Sequence, residues 1–379
     1  MLITDPVELK RFEACRRAWQ GIPGMVRTPG GRTFVSFYSG GVKEEYSNFA
    51  AVIMSDNDTD FSEPVAVLEK DGDYRCFDPV LWLDPMGRLW LVWNVMPGEE
   101  VHAVICAAPD AETIVWGEER LIGRGIMMNK PTVLSSGVWL FPIATWKLDL
   151  MSEMRKPGLL PDETPGSYVW VTSDCGETFT RLGFADVPDR CFDEQMVLEL
   201  NDGRLMMLVR TYYGIGVSYS SDGGKSWTPG EDSGLGGPCS RFFLRRLRSG
   251  RVLLINHFNS PGYNDRENFA GRNNLTALLS EDDGKTYPYT LLLDERFQVS
   301  YPDGMECDDG FIYIVYDRER GAVRNNLEEI YGDVREILTA RFTEEDIIAG
   351  ALVTEGSWLK KVICKLGRLA DDMPDPFTL

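Results

Sequence analysis

Arg190-Cys191-Phe192-Asp193-Glu194-Gln195-Met196-Val197-Leu198-Glu199-Leu200 runs into Asn201-Asp202-Gly203 and returns as Arg204-Leu205-Met206-Met207-Leu208-Val209-Arg210-Thr211. Two apolar runs joined by Asn-Asp-Gly predict a β-hairpin, since these three residues tolerate the positive φ of a tight turn. Glu194 precedes the first strand and Arg210 ends the second, so antiparallel pairing puts both at one edge of the sheet. A second turn follows, Ser220-Ser221-Asp222-Gly223-Gly224-Lys225-Ser226-Trp227. Its Ser and Asp side chains can bond the turn's own backbone, Gly takes the positive φ, and Trp plugs the turn into its sheet.

That turn recurs. Thr172-x-Asp174-x-Gly176-x-Thr178-Phe179 and Ser280-x-Asp282-x-Gly284-x-Thr286-Tyr287 match it, at intervals of 48 and 60 residues, and Ser55-Asp56-Asn57-Asp58-Thr59-Asp60-Phe61 is a worn copy. One such motif is weak, because Asp and Gly are ordinary turn residues; three in register indicate a radial repeat of four-stranded blades. The polar residues placed just before successive apolar strands are Gln20, Asp78, Lys130, Glu194, Arg241 and Tyr301, spaced by 47 to 64 residues. Six polar groups facing one funnel predict an all-β, six-bladed β-propeller of four-stranded antiparallel blades.

Other strands are expected over Thr33–Tyr38, Phe49–Ser55, Leu89–Val95 and Glu336–Phe342, among many. A helix opening at Asp5-Pro6-Val7-Glu8 is expected to run to about residue 19, because Asp5 can cap and Pro6 suits the first helical position. Thr343-Glu344-Glu345-Asp346 should cap a short helix, within a C-terminal extension over 343–379. The polar segment 148–166 reads as a loop over one face. No linker divides the 379 residues, so one domain is expected.

Composition narrows the function. A hydrophobic content of 43% with ten Trp and eighteen Phe suits packed sheets. A net charge of −20 argues against nucleic acid or an anionic membrane as partner, and a site for an anionic substrate must concentrate its own cations. Eight scattered cysteines without a Cys-x-x-Cys pair, and only His102 and His257, make a zinc site unlikely in spacing terms; free thiols in a reducing compartment are expected. No metal or organic cofactor is implied. The first ten residues lack a secretory apolar region and no run is long enough to span a bilayer, which points to the cytoplasm.

With these motifs in place, the chain resembles the bacterial sialidase (neuraminidase) superfamily, whose six-bladed propellers carry such turns as Asp boxes. The resemblance covers about Gly21 to Phe342. It implies an exo-sialidase releasing terminal sialic acid from sialylated glycans or oligosaccharides. It also implies roles for individual residues: Tyr301, in Ser300-Tyr301-Pro302-Asp303-Gly304, as nucleophile, Glu194 as its base, and Arg210 and Arg272 on the substrate carboxylate. The chemistry fits, because sialic acid carries its carboxylate on the anomeric carbon and would repel an anionic nucleophile, whereas a neutral tyrosine avoids that. Guanidinium forks bind carboxylates bidentately, and nearby cations are expected to depress the phenol's pKa.

Two departures stand out. The family opens with Phe/Tyr-Arg-Ile-Pro, but this chain reads Gln20-Gly21-Ile22-Pro23, so glycine takes the arginine's place. Arg241, and after it Lys130, are the expected substitutes, with Gln20 also at the funnel. The family's acid/base aspartate should lie about six residues before the first Asp-box serine, where Glu44-Glu45-Tyr46-Ser47-Asn48-Phe49 has none. Asp78, or Glu45 on the loop, is expected to serve. The competing readings are a glycosidase for another acidic sugar and a non-catalytic carbohydrate-binding propeller. The Glu44-Glu45 pair also fits a plain solvated loop, and an arginine at a strand end is often only a surface residue.

Overall fold

The structure is a computed structural model that describes residues 1–41, 44–147, 149–150, 164–258, 271–320, 334–370 and 372–373. Among them, six antiparallel sheets stand in a ring as the blades of a β-propeller, each with four strands joined in sequence order. Blade 1 runs Trp19–Arg27, Thr33–Gly40, Phe49–Ser55 and Ala66–Leu68, with Leu2–Ile3 added as a fifth strand on its outer edge. Blade 2 spans Arg75–Leu83 to Arg120–Arg124, blade 3 Thr132–Val133 to Thr180–Ala185, and blade 4 Met196–Glu199 to Glu231–Asp232. Blade 5 spans Phe243–Arg246 to Tyr289–Asp294, and blade 6 Val299–Glu306 to Trp358–Lys365.

The hairpin read from residues 196 to 211 pairs Met196 with Leu208 and Glu199 with Leu205, and Arg210 N–H donates to the Asp193 carbonyl at 2.9 Å. Glu194 and Arg210 therefore share an edge. All four Ser/Thr turn residues end the third strand of their blades, at Ser55, Thr172, Ser220 and Ser280. In the three full copies the hydroxyl donates to the Asp side chain at 2.7 to 2.8 Å, and that carboxylate accepts a backbone N–H four residues after the Ser/Thr's own partner. Such donors hold the carboxyls of Asp222 and Asp282 down at about 2. The worn copy works with an amide instead: Ser55 donates to Asn57 Oδ1, which accepts from Thr59 and Asp60 N–H.

Blades pack face to face through large side chains. Trp82 meets Trp139 edge-on at 4.9 Å and Phe141 at 5.8 Å, joining blades 2 and 3. Blades 1 and 6 close the ring without sharing a sheet. Ile22 N–H donates to Asp317 Oδ2 at 2.7 Å, Met25 N–H to Asp303 Oδ2 at 2.8 Å, and Gln20 N–H to the Arg320 carbonyl at 3.1 Å. Buried carboxylates on blade 6 thus satisfy the N–H groups that a distorted first strand leaves over.

Two terminal expectations differ from what is found. Asp5 does cap, accepting from Val7 and Glu8 N–H, but the α-helix covers only Pro6–Leu9 before two 3₁₀ turns and the strand that starts at Trp19. Phe12 must be buried, and a continuous helix would give way to the burial pattern of Trp19–Val26, where every side chain is buried. At the other end Thr343 and Asp346 form a capping box on Glu344–Ala349, and Trp358–Lys365, in the stretch read as an extension, is the outer strand of blade 6. The expected loop over 148–166 lies largely outside the described residues.

Candidate active site

The inner strands break their ladders at equivalent places. Registers shift between Gly21 and Gly24, Phe77 and Val80, and Ser300 and Asp303. Inside the shifts, Ile22, Asp78 and Tyr301 take φ of 55°, 47° and 56°, and Glu194, just before its strand, takes 43°. Left-handed backbone at a non-glycine residue costs of order 1 to 3 kcal/mol, and here it recurs at the matching position of successive inner strands. Pro follows at Ile22-Pro23, Asp78-Pro79 and Tyr301-Pro302, where the missing N–H suits a broken ladder. This X-Pro recurrence was visible in the sequence. It marks Ile22, not Gln20, as blade 1's counterpart of Asp78 and Tyr301.

At the centre, the Tyr301 hydroxyl donates to Glu194 Oε1 at 3.2 Å. Arg210 Nη1 lies 2.6 Å from the same oxygen and donates to the phenol at 3.1 Å. All three residues are buried, and the second oxygen of Glu194 has no hydrogen-bond partner among the described residues. Arg210 is held from behind by Cys239 Sγ, which accepts from Nε at 3.2 Å. The Arg272 guanidinium carbon lies 5.4 Å from the Tyr301 ring centre while Nη2 donates to the Cys239 carbonyl at 3.0 Å. Trp19, Ile22, Tyr38, Phe77 and Trp146 pack around Tyr301, so these charges face each other across an apolar wall that strengthens their interactions.

The cations were expected to depress the phenol's pKa. Arg210, Arg272 and Arg320 do pull it down, but burial and the Glu194 carboxylate outweigh them, and the Tyr301 pKa is raised. The resting site therefore holds a neutral phenol hydrogen-bonded to Glu194. Burial, reinforced by Glu44, pushes the Asp78 carboxyl up to about 7 against the pull of Arg75, and its Oδ1 has no hydrogen-bond partner among the described residues.

Four predicted residues sit differently. Gln20 is fully buried with its amide turned to the ring's closure, accepting from Arg17 at 3.1 Å and donating to the Arg335 carbonyl at 2.8 Å. Arg241 reaches the axis, but its guanidinium donates to the carbonyls of Met128, Pro23, Tyr301 and Pro302 at 2.9 to 3.3 Å. It braces the backbone of blades 1, 3 and 6 beneath Tyr301. The Lys130 ammonium is paired with Asp303 deep in the ring, and burial brings its pKa down to about 8 despite that partner. The Glu45 side chain turns back toward Gly41, where an added Cβ would stand 2.8 Å from Oε1.

The structure adds three residues the sequence reading passed over. Glu44 faces the cluster, 3.7 Å from Arg75 Nη1 and 3.8 Å from Arg320 Nη1. Arg75 is buried, donates to the Tyr38 hydroxyl at 3.2 Å and lies 4.0 Å from the centre of the Phe77 ring. Arg320 lies 4.0 Å from the centre of the Tyr301 ring. No motif marks it, since it follows a strand end near the opposite terminus. A chain of net charge −20 thus gathers Arg210, Arg241, Arg272 and Arg320 around Tyr301 and Glu194, with Arg75 and Glu44 beside them. Among the described residues, no group of three or more His, Cys, Asp or Glu is placed to hold a metal ion, and no helix is long and apolar enough to cross a membrane.

Comparison with known proteins places this site in context. No curated protein matches the chain by sequence. Among solved structures, the NanB sialidase of Streptococcus pneumoniae aligns at a TM-score of 0.65 with 12% identity, over 88% of this chain and 70% of that one. The leech intramolecular trans-sialidase, complexed with 2,7-anhydro-Neu5Ac, aligns at 0.63 with 14% identity, over 90% and 70%. The likeness also extends to an α-L-arabinanase of Penicillium chrysogenum, at 0.51 and 12% identity over 88% and 94%. At these identities the common property is the propeller fold. The family model for the BNR repeat-like domain matches residues 32–314. With three full Asp-box turns and six four-stranded blades in a ring, the chain belongs to the BNR repeat-like domain family.

Proposed function

We propose that the protein is a retaining exo-sialidase that releases terminal sialic acid from sialylated glycans or oligosaccharides. The observation that carries this reading is the phenol of Tyr301 placed within hydrogen-bonding distance of both Glu194 and Arg210. The phenol donates to a carboxylate that can take its proton and accepts from an arginine that can stabilise the oxygen left behind. Glu194 takes it as the phenol oxygen attacks the anomeric carbon, so phenolate never accumulates, in keeping with the raised pKa. As the glycosidic bond breaks, the leaving oxygen receives a proton from Asp78, whose raised pKa keeps it protonated near neutrality. Water then attacks the tyrosyl intermediate with Asp78 as base, and the phenol regains its proton from Glu194. In this reading Arg210 and Arg272 bind the substrate carboxylate, an anion that guanidinium groups suit.

The test is release of free sialic acid from a fluorogenic sialoside between pH 4 and 8. Absence of release across that range would sink the reading. The fold's reach to an arabinanase motivates the rival, a glycosidase for another sugar. Turnover of a uronide or arabinoside in the same assay, with the sialoside inert, would favour it.

A further inference from the structure

Gly21 stands where any side chain would have to push Arg320 aside. A Cβ built there would lie 2.6 Å from Cδ, 2.7 Å from Cγ and 2.9 Å from Nε of Arg320. Real Cβ atoms do not approach so closely, so the stem of Arg320 already fills the space a residue at position 21 would use. Arg320 comes from the far end of the chain, two residues past the second strand of blade 6, Ile312–Arg318. It is anchored at both ends. Its carbonyl accepts the Gln20 N–H at 3.1 Å, while Nε donates to Asp317 Oδ2 at 2.9 Å and Nη2 to Ser300 Oγ at 3.1 Å. Asp317 Oδ2 also accepts the Ile22 N–H, and its Oδ1 accepts from Ser300 Oγ, so one carboxylate fixes the guanidinium and the blade 1 bulge together.

Held this way, the guanidinium lies 4.0 Å from the centre of the Tyr301 ring, while Arg272 lies at 5.4 Å. Its remaining nitrogen, Nη1, lies 3.8 Å from the Glu44 carboxylate, too long for a hydrogen bond. Glu44 is more than a third exposed, so it is a loose counter-ion that an incoming anion can replace.

We propose that Arg320 is the specificity-determining cation for the substrate's carboxylate, supplied from blade 6 through the space left by Gly21, and that Gly21 is required for it. The proposal rests on the reading of the site as one for an anionic sugar. It assigns to Arg320 the part that neither Arg241, bound to four carbonyls, nor Lys130, paired with Asp303, is free to take. It also links two positions almost three hundred residues apart: an arginine at 320 demands glycine at 21.

The experiment measures binding of 2,3-didehydro-sialic acid, its neutral methyl ester and glucuronic acid by calorimetry, for wild type, Arg320→Gln and Gly21→Ala. Expected is tight binding of the free acid by wild type, with at least a thirtyfold loss in Arg320→Gln and little change for the ester. Gly21→Ala keeps the charge but pushes it aside, and should lose affinity for the acid in the same selective way. It also serves if Arg320→Gln does not fold. Unchanged acid binding in the folded variants, or equal losses for acid and ester, overturns the role of Arg320 and leaves the sialidase reading standing. Arg320-dependent binding of glucuronic acid alone supports Arg320 and overturns sialic acid as the ligand. No binding of either acid by wild type overturns both.

Discussion

The hydroxyl of Tyr301 and Oε1 of Glu194 meet at 3.2 Å although 107 residues separate them in sequence. Both residues hold left-handed backbone, with φ of 56° and 43°, so the ring stores strain on each side of one hydrogen bond. Such a contact is expected to matter in the rate and little in substrate affinity. Tyr301→Phe removes the attacking oxygen and should lower kcat by roughly 10³-fold or more. Steady-state kinetics on a fluorogenic sialoside checks it. A carbohydrate-binding propeller without catalysis would show the same ligand affinity in both forms and no turnover in either.

Glu194→Gln keeps the shape and removes the base. The expected fall in kcat is about 10² to 10⁴-fold, with KM within a few-fold of wild type. The amide also withdraws the partner of a buried Arg210, whose Nη1 sits 2.6 Å from the carboxylate, so a lower melting temperature should accompany the loss. A variant as active as wild type would remove Glu194 from the mechanism.

Asp78 gives a prediction in pH. Its folded pKa is raised to about 7 from an ordinary 3.8, chiefly by burial, so the folded chain keeps a proton the unfolded chain loses. Its favourable contribution is complete below about pH 4, declines as pH rises toward 7 and is gone above that. Asp78→Asn should therefore melt higher than wild type at pH 8, by up to roughly 4 kcal/mol of stability, with the difference closing at pH 4. Activity should show the same group. Wild-type kcat on a lactose-linked sialoside falls above about pH 7, and Asp78→Asn loses kcat/KM on that substrate while keeping most of kcat/KM on a nitrophenyl sialoside, whose leaving group needs no proton. A burst of nitrophenol should precede a slow turnover that lacks the base for water. Equal losses of kcat/KM on both substrates would exclude Asp78 as the acid.

The repeated turns made the ring legible, because an Asp box is defined locally: the bonds of its Ser/Thr and Asp side chains lie within six residues, as at Ser220 to Ser226. The hairpin edge that pairs Glu194 with Arg210 is nearly as local. Gln20 was placed two residues short of Ile22 because a bulge in the inner strand cannot be counted from apolar alternation, though the X-Pro recurrence records it. Arg241 was legible as an axial cation but not as a brace, since its four carbonyl partners come from three other blades. Arg320 was illegible for a stronger reason. Its place is defined by an empty space at Gly21, and only the closed ring brings the two together.

Arg241 supplies the last prediction, one of stability with a functional readout. Its side chain is buried, and its guanidinium satisfies the carbonyls of four buried residues, Pro23, Met128, Tyr301 and Pro302. Arg241→Met keeps much of the volume but leaves those acceptors bare, at a cost of about 1 to 3 kcal/mol for each one not rescued. A loss of at least about 3 kcal/mol is therefore expected in denaturant unfolding. Because two of the four carbonyls belong to Tyr301 and its proline, the loss should extend to kcat, and activity should fall faster than affinity for an acidic sugar. An arginine that bound the substrate carboxylate directly would give the opposite split, with KM rising and kcat held. Arg320→Gln, measured beside it, is expected to show that rise in KM; it should also lose stability, because the buried Asp317 carboxylate loses its guanidinium. The split between KM and kcat, not the midpoint, therefore separates the cation that holds the site's backbone from the one that meets the substrate.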